Sequence, residues 1–180
     1  MIVLSFRGCA KIDNTVINSL NFRNWQNQIA HVPQNIFLTD GTIIDNIAFG
    51  IQKEKVDIKL VKECAIKAQL SDSIESWSKK YHTIIGERGV RLSGGQRQRI
   101  GIARALYKRA KVFIFDEATN ALDSKTENEV INSIYKLDSD LTIIMIAHRL
   151  STLKGCSKII KLDNGLISKI GNYQEIVENV

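Results

Sequence analysis

A chain of 180 residues, 44% hydrophobic and 24% charged, is long enough to bury a core and has ordinary globular composition. Its 25 Lys and Arg against 19 Asp and Glu leave a net charge of +6, a mild excess that suits nucleic acid, an anionic membrane face or phosphate ligands equally well. Cys9, Cys64 and Cys156 are too far apart for a disulfide framework or a metal-ligand spacing, no apolar run approaches a membrane span, and Met1 to Arg7 lack the basic flank and cleavage site of a signal peptide.

Residues 28–33 read as a short strand ending at Pro33, the only proline. Thr42 to Phe49 has helical spacing, with Thr42 as N-cap and Gly50 as stop. Residues 56–68 form an amphipathic helix with Val56, Leu60, Val61, Cys64 and Ala68 on one side, and Ser71 to Lys79 form a third, shorter one. After the loop Gly86-Glu87-Arg88-Gly89, a helix opens at Ser93. The basic cluster on and just after it (Arg97, Arg99, Arg104, Lys108, Arg109, Lys111) is expected to be a solvated face. It has no interleaved aromatics to stack on bases, so no nucleic-acid partner is expected.

Lys111 to Asp116 is a continuous apolar run ending in acid, as in a strand buried on both faces. A helix follows from Asp123 or Ser124 to about Leu137, and Leu141 to Ala147 is a second buried strand that ends at His148. Lys158 to Leu162 and Leu166 to Ile170 flank Asp163-Asn164-Gly165 as a hairpin, and a short helix begins at Tyr173. Strands alternating with helices argue for a parallel α/β core, formed by residues 1–39 and 110–180. The helix-rich stretch, roughly 40–109, reads as a separate lobe.

Two places carry chemistry. Ser93-Gly94-Gly95-Gln96 opens a helix with two glycines that leave backbone N–H groups unobstructed, a serine hydroxyl as a further donor, and a helix dipole that favours an anion. Val112 to Glu117 is a strand ending in two carboxylates, and ligand sites of open parallel sheets gather at that end of the strands. There, one carboxylate can hold Mg²⁺ and the next can orient or deprotonate an attacking water. Taken alone, such a string is more often a strand ending in solvated acids. His31 and His82 read as structural or solvated.

The order of segments removes that plainer reading. Leu92-Ser93-Gly94-Gly95-Gln96 resembles the signature motif of the ATP-binding cassette (ABC) family, and Val112 to Glu117 resembles its Walker B motif. Ala118-Thr119-Asn120-Ala121-Leu122-Asp123 resembles the D-loop, Ile146 to Thr152 the H-loop, and Val32-Pro33-Gln34 the Q-loop. Phe37 to Ile47 and Ile85 to Gly89 resemble segments of exporter-type cassettes, the second being the loop that faces the transmembrane partner. Gly8 to Asn14 looks like the family's Gly-x-Ile-x-Ile-Asp-Gly/Asn stretch, with Ala10 and Lys11 as departures.

The resemblance implies a P-loop-NTPase-like α/β fold, with a parallel core lacking its Walker A strand and a helical lobe, and ATP and Mg²⁺ as cofactors. It implies Asp116 and Gln34 at the metal, and Glu117, His148 and Gln34 in catalysis. Ser93, Gly94, Gly95 and Gln96 would face an ATP held by a second nucleotide-binding domain, with Asp123 in the D-loop. The other implied partner is the transmembrane domain of an exporter, placing the chain peripherally at the cytoplasmic face of a membrane.

No Gly-x-x-x-x-Gly-Lys-Ser/Thr occurs in the 180 residues. Family order puts that loop upstream of Gly8, so Met1 to Arg7 is expected to be the tail of the helix that follows it. These residues alone are therefore expected to bind ATP weakly, yet to complete a site on an intact partner. Leu141 to Ile146 is expected to be an unpaired apolar edge, with poor solubility for the chain expressed alone. A naturally short or decayed, non-hydrolysing half-site partner is the alternative. A soluble cassette ATPase acting on DNA or ribosomes is disfavoured by the exporter-like segments 37–49 and 85–89.

Overall fold

Three parallel strands organise the structure, a computed structural model that describes residues 11–12, 14–118, 122–137 and 140–178. A two-residue antiparallel pair, β1 (Lys11–Ile12) and β2 (Thr15–Val16), precedes α1 (Phe22–Gln28) and β3 (Ile29–Val32). Four helices follow: α2 (Ile43–Ile47), α3 (Ile58–Lys67), α4 (Ser71–Glu75) and α5 (Gly94–Tyr107). Then come β4 (Val112–Asp116), α6 (Ser124–Tyr135), β5 (Thr142–Ile146) and the hairpin β6 (Ile159–Asp163) and β7 (Leu166–Gly171), with a last helical turn at Gln174–Glu178. Met1 to Ala10, including Cys9, lie outside the described residues, as do Asp13 of the Gly8–Asn14 match and Thr119, Asn120 and Ala121 of the D-loop match.

Local chemistry sets the helix starts. Thr42 and Asp45 form a reciprocal capping box at α2, with Asp45 N–H donating to Thr42 Oγ1 at 3.1 Å and Thr42 N–H donating to Asp45 Oδ2 at 2.9 Å. Asp57 caps α3 by accepting from Leu60 N–H. The expected third helix is shorter than its pattern: α4 ends at Glu75, and a separate 3₁₀ turn forms at Lys80–His82. Asn164 and Gly165, both at positive φ (48° and 78°), make the hairpin turn that Asn-Gly favours.

The sheet order is β3-β4-β5, with Ala30 beside Phe113 and Val32 beside Phe115, and Phe113 and Phe115 in turn beside Ile143 and Met145. These residues share one face, and it carries the core: Ala30, Val32, Phe113 and Phe115 are at most 4% exposed. They belong to one apolar cluster with Ile43, Val61 and Ile74 from the helical stretch and Ile134 from α6. The opposite face is half-buried along β4, at Val112 and Ile114, and exposed along β5, which corrects the expectation of strands buried on both sides. Along β5 the outward residues Ile144 and Ile146 are 47% and 51% exposed, and β5 pairs only with β4 among the described residues. An apolar groove of about 570 Å³ runs between this edge and the hairpin, bordered by Tyr135, Ile144, Cys156 and Ile160.

The basic cluster is a solvated face only in part: Lys108, Arg109 and Lys111 are exposed, whereas Arg97, Arg99 and Arg104 are half-buried. Arg97 Nη1 donates to the Leu92 carbonyl, and Arg99 donates to the Gln69 carbonyl and pairs with Glu129 at 2.8 Å. Arg104 donates to the carbonyls of Asn46 and Phe37, and Lys108 Nζ to those of Gln26 and Ile29. These cations are cross-links between α5 and the chain around it, and hydrogen bonds to charged donors are the stronger kind. The thiol of Cys64 is buried and pushed up to about 11 by desolvation, which makes it an inert core residue.

Candidate functional site at the strand ends and the α5 N-terminus

The carboxyl ends of the three parallel strands bring the acidic and imidazole groups together. Asp116 closes β4 on the face of the sheet opposite the core. Glu117, next in the chain, donates its backbone N–H to the Ile146 carbonyl at 3.0 Å and has φ of +48°. A left-handed conformation is unfavourable for a side chain other than glycine, and such residues concentrate at functional sites. His148 leaves β5 two residues after its end and sets Nε2 2.6 Å from Glu117 Oε1. The carboxylate is 27% exposed and the imidazole 72% exposed, so the pair faces outward.

The loop that carries His148 is tied down behind it. Arg149 Nη1 pairs with Glu127 of α6, whose side chain is 7% exposed, and Thr152 Oγ1 reaches the same carboxylate at 3.4 Å. Glu127 is buried and would lose a charged partner without Arg149, so this contact, with Arg149 itself 42% exposed, ties the chain next to His148 to α6. His31, set aside in the sequence as structural or solvated, has Nε2 3.6 Å from Asp116 Oδ2. The signal was the parallel register: His31 pairs with Ile114, which places it on the same face as Asp116 two residues further along. Period-2 alternation in both strands could have found it.

The second group of residues sits at the start of α5. Ser93 Oγ accepts from Gln96 N–H at 3.2 Å, and Gln96 Oε1 accepts from Ser93 N–H at 2.9 Å, a reciprocal capping box. The Gln96 amide is thus taken, and the free first-turn donors are those before it. The two glycines have a packing reason as well as the expected electrostatic one. A Cβ on Gly94 would lie 2.8 Å from Leu122 Cδ2, and one on Gly95 would run into Thr126 Cγ2. The pair lets α5 start directly against Leu122 and α6. Asp123 is the N-cap of α6, accepting from Lys125 and Thr126 N–H at 3.1 Å each, and the Thr126 side chain first, then these N–H groups, hold its carboxyl below the ordinary range. The structure thus gives Asp123 a capping role.

Gln34 lies two residues beyond β3, and its carbonyl accepts from Gln98 Nε2 at 2.7 Å. Gln34, Phe37, Arg88, Gly94, Gln98 and Leu122 line one cavity of about 450 Å³, so the Gln34 segment and the α5 start are neighbours. Oxygen donors suit Mg²⁺, which is commonly held by one or two carboxylates together with phosphate oxygens and water. Asp116, with a half-exposed carboxylate, and the Gln34 amide fit that chemistry. Among the described residues no group of three or more His, Cys, Asp or Glu forms a metal cage by itself.

The model of the ABC transporter family matches residues 5–120. The chain belongs to the ABC transporter family. It is 43% identical over 172 residues to an ATP-dependent lipid A-core flippase of Saccharophagus degradans, covering 96% of this chain and 29% of that protein. ABC transporter B family member 18 of Arabidopsis thaliana is 43% identical over 171 residues, covering 95% of this chain and 14% of that one. Among solved structures, a bacterial Atm1-family ABC exporter with ATP bound superposes with a TM-score of 0.85 at 35% identity, covering 97% of this chain and 30% of that one. The ABC chain described here therefore has the P-loop-NTPase-like α/β fold of an ABC nucleotide-binding domain, and spans under a third of these relatives' length. Among the described residues no helix is long and apolar enough to cross a membrane.

Proposed function

We propose that this chain supplies nucleotide-binding half-sites to an exporter, in which ATP binding and hydrolysis drive transport through a transmembrane domain at the cytoplasmic face of a membrane. The observation that carries the reading is the cluster at the strand ends, where Glu117 and His148 lie 2.6 Å apart beside Asp116. In the proposed division, residues 40–109 are the helical lobe and the rest is the core.

Each group has a task in this reading. Asp116 and the Gln34 amide would hold Mg²⁺, which when bound would neutralise charge on the phosphates of ATP. Glu117 orients a water and accepts its proton, a role that needs a carboxylate within hydrogen-bond reach of the nucleophile. His148, with Nε2 2.6 Å from Glu117 Oε1, would supply a ring N–H to the attacking water and the terminal phosphate. Arg149 and Glu127 keep that imidazole in register. Ser93 and the Gly94 and Gly95 amides cap an ATP held by a second nucleotide-binding domain, identical or different, with Gln96 and Asp123 shaping the two helix starts.

The 180 residues hold groups that act on a triphosphate but contain no Walker A sequence to cradle one. Positioning dominates phosphoryl transfer, so these residues alone are expected to bind ATP weakly. Calorimetric titration of the isolated chain with ATP should show no tight Mg²⁺-dependent binding, whereas the complete gene product should hydrolyse ATP only with Mg²⁺. Tight binding by the isolated chain would refute the half-site reading, and a complete gene product without Mg²⁺-ATPase activity would refute the function itself.

A further inference from the structure

The segment that carries Gln34 leaves β3 and lies along one stripe of α5. Gln98, Gly101 and Arg104 are three residues apart, a spacing that puts them on one side of a helix. Each grips the segment by a different means. Gln98, 6% exposed, donates Nε2 to the Gln34 carbonyl at 2.7 Å. Gly101 makes room for Ile36, since a Cβ there would lie 2.6 Å from Ile36 Cδ1. Arg104 donates Nη1 to the Phe37 carbonyl at 3.0 Å and Nε to the Asn46 carbonyl at 2.9 Å, with its guanidinium 4.7 Å from the centre of the Phe49 ring.

Of the three, Gln98 is the one that touches Gln34 itself. Its Oε1 is buried with no partner among the described residues, so the bond to Gln34 alone sets the orientation of the amide. Turned over, the amide would set its oxygen against the Gln34 carbonyl. A buried donor that loses its acceptor carries a full desolvation penalty, so any movement of the Gln34 backbone must draw Gln98 with it. Gln98 lies one helical turn from Gly94, at the end of α5 whose capping box is built on Ser93.

We propose that Gln98 is a positioning residue for Gln34, and that it makes the Gln34 segment and the Ser93 end of α5 one mechanical unit. This rests on the half-site reading above. In that reading Gln34 serves the subunit's own nucleotide and Ser93 serves the partner's, so Gln98 couples the two sites of a dimer. Coupling of this kind requires an element whose position both sites bias, and α5 with its clamped segment is that element.

The test uses the complete gene product with Gln98→Met, which keeps an unbranched side chain of similar length but has no donor, and Gln98→Lys, which restores an N–H donor. The Met variant should melt near wild type, lose turnover on the order of tenfold through misplacement of Gln34, and keep its KM for ATP within about twofold. Its ATP dependence should become less cooperative, and Gln98→Lys should recover part of both. A folded Gln98→Met with wild-type cooperativity overturns the coupling. Losses that merely track a lower melting midpoint, and that Gln98→Lys does not relieve, overturn the positioning role. Absence of ATPase activity in the wild type would instead count against the functional reading, so the two failures are distinct.

Discussion

The start of α5 and the ends of β4 and β5 carry polar groups of similar kind and use them in opposite ways. At α5 the polar side chains turn to the chain itself: Ser93 and Gln96 cap each other, Gln98 holds Gln34, and Arg97, Arg99 and Arg104 hold carbonyls, with Gln98 Oε1, Arg99 Nε and Arg104 Nη2 buried beside them without a partner among the described residues. At the strand ends, Asp116 and His148 remain about half exposed or more, and Glu117 sits at an unfavourable φ. One region is a packed joint and the other is a set of groups held outward. Substitutions should therefore separate the two: packing and capping changes at the joint cost stability, Gln98 excepted because its task is to hold Gln34, and changes at the strand ends cost turnover.

Predictions can break or sharpen that contrast. Phe113 is fully buried on the core face of β4, edge-on to Phe115 at 6.3 Å, so Phe113→Ala should destabilise by about 3–5 kcal/mol in denaturant unfolding. Gly95→Ala should cost about 1–3 kcal/mol through overpacking against the Thr126 methyl. Adding Thr126→Ser, which removes that methyl, should recover much of the loss; if it does not, packing is not why the glycine is there. Thr42→Ala removes the α2 cap and should cost about 1 kcal/mol.

The smallest effect is one of pH. Asp45 and Asp123 both have carboxyls held below their ordinary value of about 3.9, Asp45 by the Thr42 hydroxyl and Asp123 by Thr126. A depressed carboxyl stabilises the fold above its unfolded-state value and loses that stability as pH falls through the lower folded-state value. The melting midpoint should therefore be level from neutral pH down to roughly the ordinary carboxylate value and fall below it. Asp123→Asn, which keeps a capping oxygen without the charge, should flatten part of that acid limb.

The helix starts and the strand positions were legible in the sequence because they depend on local chemistry. Thr42, Ser93 and Asp123 each cap the helix that follows, and the runs 111–116 and 141–147 contain the strands Val112–Asp116 and Thr142–Ile146. What escaped depends on distant neighbours. Apolar residues in β5 cannot report whether a layer covers them, and Ile144 and Ile146 are half exposed. A run of arginines looks like a solvated face until the carbonyls of Phe37 and Asn46, more than fifty residues away, are seen to receive Arg104. The approach of half-exposed His31 to Asp116 depends on the register between β3 and β4, which neither strand shows alone.

The contrast rests most heavily on Glu117, placed outward at the strand end with His148 against it. Glu117→Gln in the complete gene product, followed by Mg²⁺-ATP turnover and thermal melting together, tests it directly. The account predicts turnover lower by at least about a hundredfold, from loss of the general base, with the melting midpoint unchanged. Wild-type turnover in a folded Glu117→Gln protein would contradict it.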